Sequence, residues 1–244
     1  MEDQVYRQLY DVENEHWWFV ARKEILLRYL DARLPLPRSA RVLDVGCGTG
    51  TILESFSRRY QASGTDVAPQ AIEFCRRRGL SELHLGPLEQ YPRSEPFDLL
   101  TMLDMLEHVD DDDSLLRAAH RLLRRGGHIL VAVPAFPSLW SKHDEILHHK
   151  RRYTRRELRR VIEGAGFTVE HLTFFNFFLF PFAWAKRAAA RVSGSEKAND
   201  LEIPPRILNT GLRAIFRLER PLLPRVSLPF GLSLLCLARK DDAG

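Results

Sequence analysis

An α/β fold with a doubly wound, mostly parallel sheet is what this sequence predicts, and three observations predict it. Short apolar runs alternate with helical patterns from Arg41 onward, a glycine-rich turn stands at the first strand-to-helix junction, and an acidic residue, Asp66, closes the next apolar run. The chain has 244 residues, 45% hydrophobic and 28% charged, which suits one large domain with a proper core and a soluble surface.

The elements follow in order. Residues 1–37 read as helical, with Trp17, Trp18 and Phe19 crowded together and Pro35 and Pro37 closing the stretch. Arg41 to Val45 is a β-rich apolar run; a glycine loop and a helix over Thr51 to Tyr60 come next. Ala62 to Val67 is the second strand, Ala71 to Arg78 a helix stopped by Gly79, and Leu83 to Leu85 a third short strand. Phe97 to Leu103 is the fourth strand and Ser114 to Arg124 its helix, with Gly126-Gly127 as the expected terminator. His128 to Val133 is the fifth strand, stopped by Pro134. Thr154 and Glu157 read as a capping box opening a helix to Glu163. Phe167 to Phe175 and Leu232 to Arg239 are the last two strands. Between them lies a segment of roughly 50 residues, 177 to 228, long enough to imply a role of its own.

The net charge is +4, and the excess sits in arginine clusters: Arg76 to Arg78, Arg121 to Arg125, Arg151 to Arg160 and Arg206 to Arg225. Solvated helix faces, anionic substrates and a membrane surface all fit such clusters. Cys47, Cys75 and Cys236 are far apart and none stands at metal-ligand spacing, so a reduced, cytoplasmic protein without a metal site is expected. The acidic start Met1-Glu2-Asp3 carries no visible secretory signal. Leu172 to Ala185 is interrupted by Asn176 and Pro181 and falls short of the about 20 apolar residues of a membrane span.

The most informative stretch is Val42-Leu-Asp-Val-Gly-Cys-Gly-Thr-Gly50. Gly46 permits a tight turn, Gly48 lets a ligand approach the backbone, and Gly50 lets helix and strand pack closely. A dinucleotide fingerprint wants its third glycine where Thr51 stands, and a P-loop wants a lysine directly after Gly50, where the chain has Thr51. Asp44, at the mouth of the loop, would repel a pyrophosphate and suits a cationic ligand. Asp66, roughly 20 residues on, stands where a carboxylate can accept from both ribose hydroxyls; a plain helix cap before Ala71 is the alternative.

From residue 41 to about 167 the chain resembles the class I, seven-stranded S-adenosylmethionine-dependent methyltransferases. The glycine loop resembles their cofactor signature and Gly64-Thr-Asp66 their ribose-binding acid; Phe97-Asp98-Leu-Leu, Leu106-Glu-His-Val109 and Leu122-Leu-Arg-Arg-Gly-Gly127 resemble their later motifs. The nearest type is the ubiquinone-biosynthesis O-methyltransferases. The resemblance implies a single Rossmann-like domain over 1–244, with a helical lid at 1–37 and a helical cap insertion at 177–228. It implies S-adenosylmethionine as cofactor, contacted by Asp44, Gly46, Cys47, Gly48, Gly50, Asp66, Val67, Leu88, Leu103 and Asp104. One departure stands out: where the family commonly has Gly-Asp-Ala, this chain has Gly86-Pro87-Leu88-Glu89, and Pro87 offers neither carboxylate nor N–H.

Methyl transfer to oxygen needs an in-line acceptor and a proton acceptor, and histidine suits the latter. His108, after strand four, is one candidate; a histidine that only fixes its loop is the bland alternative. The acidic run Asp110 to Asp113 reads as a solvated helix start. After strand five, His143, Asp144, His148, His149, Arg152 and Tyr153 crowd a loop at the ligand end of the sheet. His143 and His149 are candidate bases; Asp144, Arg152, Tyr153 and, from the amino-terminal cluster, Trp18 are candidate acceptor contacts. Arginines pairing with Asp144 or Glu145 merely to order the loop remain an alternative.

Arg206 to Arg220 places Leu208, Leu212, Ile215 and Phe216 on one stripe with Arg213, Arg217 and Arg220 elsewhere, a basic amphipathic helix. For segment 177–228 a pocket cover, a peripheral membrane contact and a homodimer interface all stay open. The expected function is methyl transfer to a small-molecule acceptor, an oxygen of an apolar or lipid-linked compound, with no nucleic-acid partner. Nucleic-acid methylation and a non-catalytic scaffold are the alternatives; Leu103-Asp-Met-Leu106 stands where base-methylating enzymes carry an Asn/Asp-Pro-Pro-aromatic element.

Overall fold

The computed structural model describes residues 3–92, 95–185 and 201–241. Among them run α1 (Asp3–Val12), α2 (Trp17–Arg33), β1 (Arg41–Val45), α3 (Thr51–Ser57), β2 (Gln61–Asp66), α4 (Pro69–Arg77), β3 (Leu83–Leu85), β4 (Phe97–Leu103), α5 (Asp112–Leu122), β5 (Leu123–Pro134), α6 (Lys142–Ile146), α7 (Arg155–Gly164), β6 (Phe167–Phe175), α8 (Arg206–Arg217) and β7 (Ser233–Lys240). The strands form a seven-stranded, mostly parallel sheet in the order β3-β2-β1-β4-β5-β7-β6. β1 lies inside it, parallel to β2 and β4, and Val42, Leu43 and Val45 are almost wholly buried, as a strand covered on both faces requires. The strand order reverses between β1 and β4, which opens a crevice beyond their carboxyl ends.

The chain forms two compact units. A sheet unit, residues 36–133, 155–172 and 235–244, holds the glycine loop and most of the sheet. A helical unit, residues 1–35, 134–154 and 173–234, holds α1, α2, α6 and α8.

In the sheet unit α3 and α4 pack a small core of Cys47, Leu53, Ile72 and Cys75. Asp111 caps α5 by accepting from Ser114 N at 2.9 Å, and Asp112 and Asp113 fill its first turn, so the acidic run is a helix start. The other end of α5 departs from expectation: Gly126-Gly127 does not terminate it. The helix stops at Leu122, and the glycines lie inside a longer β5, where the register against β4 jumps from Phe97↔Leu123 to Leu99↔His128. They form a bulge: Gly126 has φ +66°, and a Cβ on Gly127 would stand 2.9 Å from Arg124 O.

In the helical unit the amino-terminal stretch is two helices rather than one. His16 breaks it with extended backbone and caps α2, its Nδ1 accepting from Trp18 N at 3.3 Å. α8 packs on α2 by only part of the stripe read from periodicity. Phe216 is fully buried, whereas Leu208 and Ile215 are 53% and 38% exposed. The face toward α2 also carries polar groups: Asn209 Oδ1 accepts from Trp17 N at 2.8 Å, and Glu24 of α2 takes both Arg213 and Arg217. Those ion pairs turn the arginines toward α2 and leave apolar side chains outside.

Just past α8, Glu219 is fully buried. Its carboxylate accepts from the N–H groups of Asn176 and Phe177 at 2.7 Å and of Phe178 at 3.2 Å, a backbone nest that Asn176 opens with φ +58°. Burial pushes this carboxyl up to about 7 against the opposing N–H donors. Of the aromatic, basic stretch expected from Phe177 to Arg191, residues 180–185 are helical and those from 186 lie outside the described residues. Among the described residues no helix is long and apolar enough to cross a membrane.

Candidate active site

In the sheet unit, the strand ends carry one group of candidate residues. Asp44 is buried on β1, directly opposite Thr101 of β4, whose Oγ1 donates to Asp44 Oδ1 at 2.6 Å. Gly46 has φ +69°, and a Cβ there would meet Met105 Cγ at 2.5 Å, so close backbone approach demands glycine. Gly48 has φ +53° and nothing within 4 Å of a Cβ position: the loop faces open space there, where a ligand can lie against the backbone. Its N–H donates to Asp66 Oδ2 at 3.0 Å, and Ala68 N donates to Oδ1 at 2.9 Å. Asp66 thus ties the loop to the start of α4, close to the helix-end role read as the alternative. A carboxylate has about four lone-pair sites, so it keeps capacity for two hydroxyls. Burial raises its pKa, and the N–H donors oppose the rise.

Gly50 caps α3 in the left-handed region. The Cys47 thiol touches that of Cys75 at 3.8 Å, and this contact, with burial, pushes its pKa far up; the residue packs the loop and is no nucleophile. Val67, beside Asp66, is 65% exposed, and Leu88 is buried. Leu103 and Asp104 end β4; Asp104 holds φ +58°, with its N–H on Ala132 O at 2.9 Å, the kind of held backbone strain that gathers at functional sites. His108 is half-buried on a short 3₁₀ turn, Leu106–His108.

The helical unit holds the other group. Asp144 is fully buried, and its carboxylate accepts from Ser141 N and Oγ (2.9 and 3.1 Å), from Arg152 Nε and Nη2 (2.8 and 2.9 Å) and from His149 Nδ1 (2.8 Å). Burial alone would raise its pKa; hydrogen bonds from His149 and Arg152 outweigh that and hold the carboxyl well below the usual range. Arg152 also donates to Ala135 O at 3.1 Å, anchoring the loop to the end of β5. The His143 ring stands perpendicular to that of His149, centroids 6.4 Å apart. Tyr153 is buried, and its backbone bridges Ala135. Trp18 carries the Arg22 guanidinium 5.1 Å over its ring.

The sequence reading missed Ser141 and Thr101. Ser141 opens α6 with Asp144 three residues on as a capping box, a signal legible in the sequence; Thr101 depends on strand register, which is not.

A family described as a methyltransferase domain matches residues 16–172. The chain is 37% identical over 120 residues to a ubiquinone biosynthesis O-methyltransferase of Xanthomonas oryzae pv. oryzae, a match covering 46% of this chain and 50% of that protein. The chain thus spans about half the length of the curated relatives it matches. Among solved structures it resembles a SAM-dependent methyltransferase from Archaeoglobus fulgidus (TM-score 0.56, 21% identity, 89% of this chain and 94% of that one). It also resembles the N-methyltransferase NodS from Bradyrhizobium japonicum, solved in complex with S-adenosyl-L-homocysteine (TM-score 0.56, 15% identity, 91% and 87%). At those identities the likeness establishes the fold.

Asp144→Ala leaves the Arg152 charge buried without its partner, and denaturant titration at neutral pH is expected to show a loss of about 3–5 kcal/mol. Because the folded-state pKa is depressed, the wild-type contribution is present above about pH 3.8 and lost as pH falls further; the variant should lack that acid-dependent loss. Unchanged stability at neutral pH would contradict the cluster.

Proposed function

The chain belongs to the S-adenosylmethionine-dependent methyltransferase family, and from that premise we propose that it methylates an oxygen of a small apolar or lipid-linked acceptor, with His149 as the base. The observation that carries this reading is the buried Asp144 carboxylate on His149 Nδ1. Such a carboxylate keeps Nδ1 protonated, assigns proton acceptance to Nε2, and stabilises the imidazolium once the acceptor's proton has moved. Asp144 is therefore a positioning residue here, and Arg152 and Ser141 hold it still. His143 is the neighbouring basic group.

The glycine loop fits the cofactor: Gly48 leaves space against its backbone, Asp66 keeps acceptor capacity for a diol, and the Asp44 carboxylate, fixed by Thr101, suits the cationic end. Bound S-adenosylmethionine supplies a methyl group on a sulfonium, open to in-line displacement by the acceptor oxygen. Preference for an apolar acceptor is supported by aromatic side chains of the helical unit. Phe136, adjoining the carbonyl that Arg152 holds, stacks on Phe174 at 5.1 Å and lies 5.8 Å from Phe180. Phe136 holds φ +58°, costly for a bulky residue and so imposed by its surroundings. Among the roles open to segment 177–228, the outward apolar side chains of α8 favour peripheral membrane contact by a cytoplasmic enzyme over a homodimer interface.

Asp66→Ala is expected to weaken S-adenosylmethionine binding by about 1.5–3 kcal/mol in calorimetry, the worth of a hydrogen bond to a charged group; unchanged affinity removes Asp66 from the site. His149→Ala is expected to lower S-adenosylhomocysteine release with a cell extract by about 10²–10⁴-fold while cofactor affinity stays constant. Wild-type turnover in that variant would reject His149 as the base, and wild-type turnover in His143→Ala as well would reject the histidine loop and pass the role to His108.

A further inference from the structure

Residues 203–226 carry five arginines and one acid, and the fold sorts those charges. The acid, Glu219, is turned fully inward onto the N–H groups of residues 176–178. Arg213 and Arg217 are taken by Glu24. Arg206, Arg220 and Arg225 remain exposed, with Arg28 of α2 exposed as well. Large apolar side chains alternate with them in the open: Ile207 is 90% exposed, Leu218 56%, Val226 46% and Leu222 37%. Exposed large apolar side chains in such number along one segment mark a contact surface. Its cations, unrelieved by any acid of the segment, fit an anionic apolar layer better than the mixed rim of a protein partner.

The same surface holds a specific feature. A cavity of about 240 Å³ is lined by Arg28, Ala32, Pro221, Pro224 and Arg225, with no carboxylate on its wall. Arg225 Nη1 donates to Pro221 O at 2.8 Å, which fixes its guanidinium over the turn that carries Leu222. Two guanidiniums at one cavity are the donor set for phosphate oxygens, which they bind as planar forks. We propose that this cavity takes the phosphodiester of an anionic lipid headgroup while Leu218, Leu222 and Val226 enter the apolar layer beside it. The inference rests on the peripheral membrane contact above and is independent of the assignment of His149.

The test is co-sedimentation of the full chain with phosphatidylglycerol vesicles, with phosphatidylcholine vesicles in parallel. Binding is expected to the anionic vesicles alone, at low salt, with release at high salt. Arg28→Ala and Arg225→Ala should each weaken partition about fivefold, the worth of one basic residue at such a surface, and Leu222→Asp should weaken it too. Arg76→Ala with Arg125→Ala, the same charge loss elsewhere, should leave it within about twofold. S-adenosylhomocysteine release from a detergent-dispersed extract, without vesicles, should be unchanged in Arg28→Ala and Arg225→Ala, so docking and methyl transfer are read apart. No sedimentation with phosphatidylglycerol overturns the proposal, as does unaltered partition of the Arg28→Ala/Arg225→Ala double variant. Calorimetric binding of inorganic phosphate that these variants abolish, without vesicle binding, would make the cavity a free-anion site and overturn the lipid assignment.

Discussion

A carboxylate sealed from water constrains the loop after β5. Asp144 is fully buried, and an ion in that position is tolerable only when every neighbour is arranged to serve it. Arg152 meets it as a two-point fork, Ser141 closes the helix cap onto it, and His149 gives it a ring N–H. Each partner is then fixed in turn: Arg152 reaches back to the Ala135 carbonyl, so the loop cannot shift without breaking a buried charge pair. A loop crowded with titratable groups thereby becomes a rigid mount for one imidazole, the orientation on which the proposed base role of His149 rests.

The glycine loop adds a second condition, close packing of its backbone, to the burial of its two acids. Gly46 leaves no room for a Cβ against Met105, and the N–H of Gly48 ends on Asp66, so loop, β2 and the start of α4 share one carboxylate. Thr101 adds a cross-strand clamp on Asp44. The acids thus act as structural partners before any ligand arrives, which preorganises them for one.

The features most legible in the sequence were those with local causes. The strands alternate with helices where apolar runs alternate with amphipathic ones, and the loop over Asp44 to Gly50 stands out because glycine spacing and the two acids have direct chemical meanings. What stayed hidden depended on partners remote in sequence. Gly126-Gly127 looks like a helix stop because that is the local meaning of paired glycines, yet the pairing of β4 with β5 makes it a bulge. The stripe on α8 follows helical period correctly, yet only Phe216 of it is fully buried while Leu208 and Ile215 stay exposed, because Glu24, nearly two hundred residues away, draws Arg213 and Arg217 inward. Asp144 was visible as a charged loop residue, whereas its role as the hub for Ser141, His149 and Arg152 required the folded loop.

Together these constraints describe a methyltransferase-family fold with a glycine loop and two buried acids in the sheet unit and a clamped histidine in the helical unit. The most direct test supplies S-adenosylmethionine bearing a deuterated methyl group, with an apolar cell extract, and follows the label by mass spectrometry. The account predicts one labelled methyl on an oxygen of an apolar compound, formed by the wild-type protein. A protein that binds the cofactor yet leaves every apolar compound unlabelled, or that places the label on nucleic acid, would contradict it.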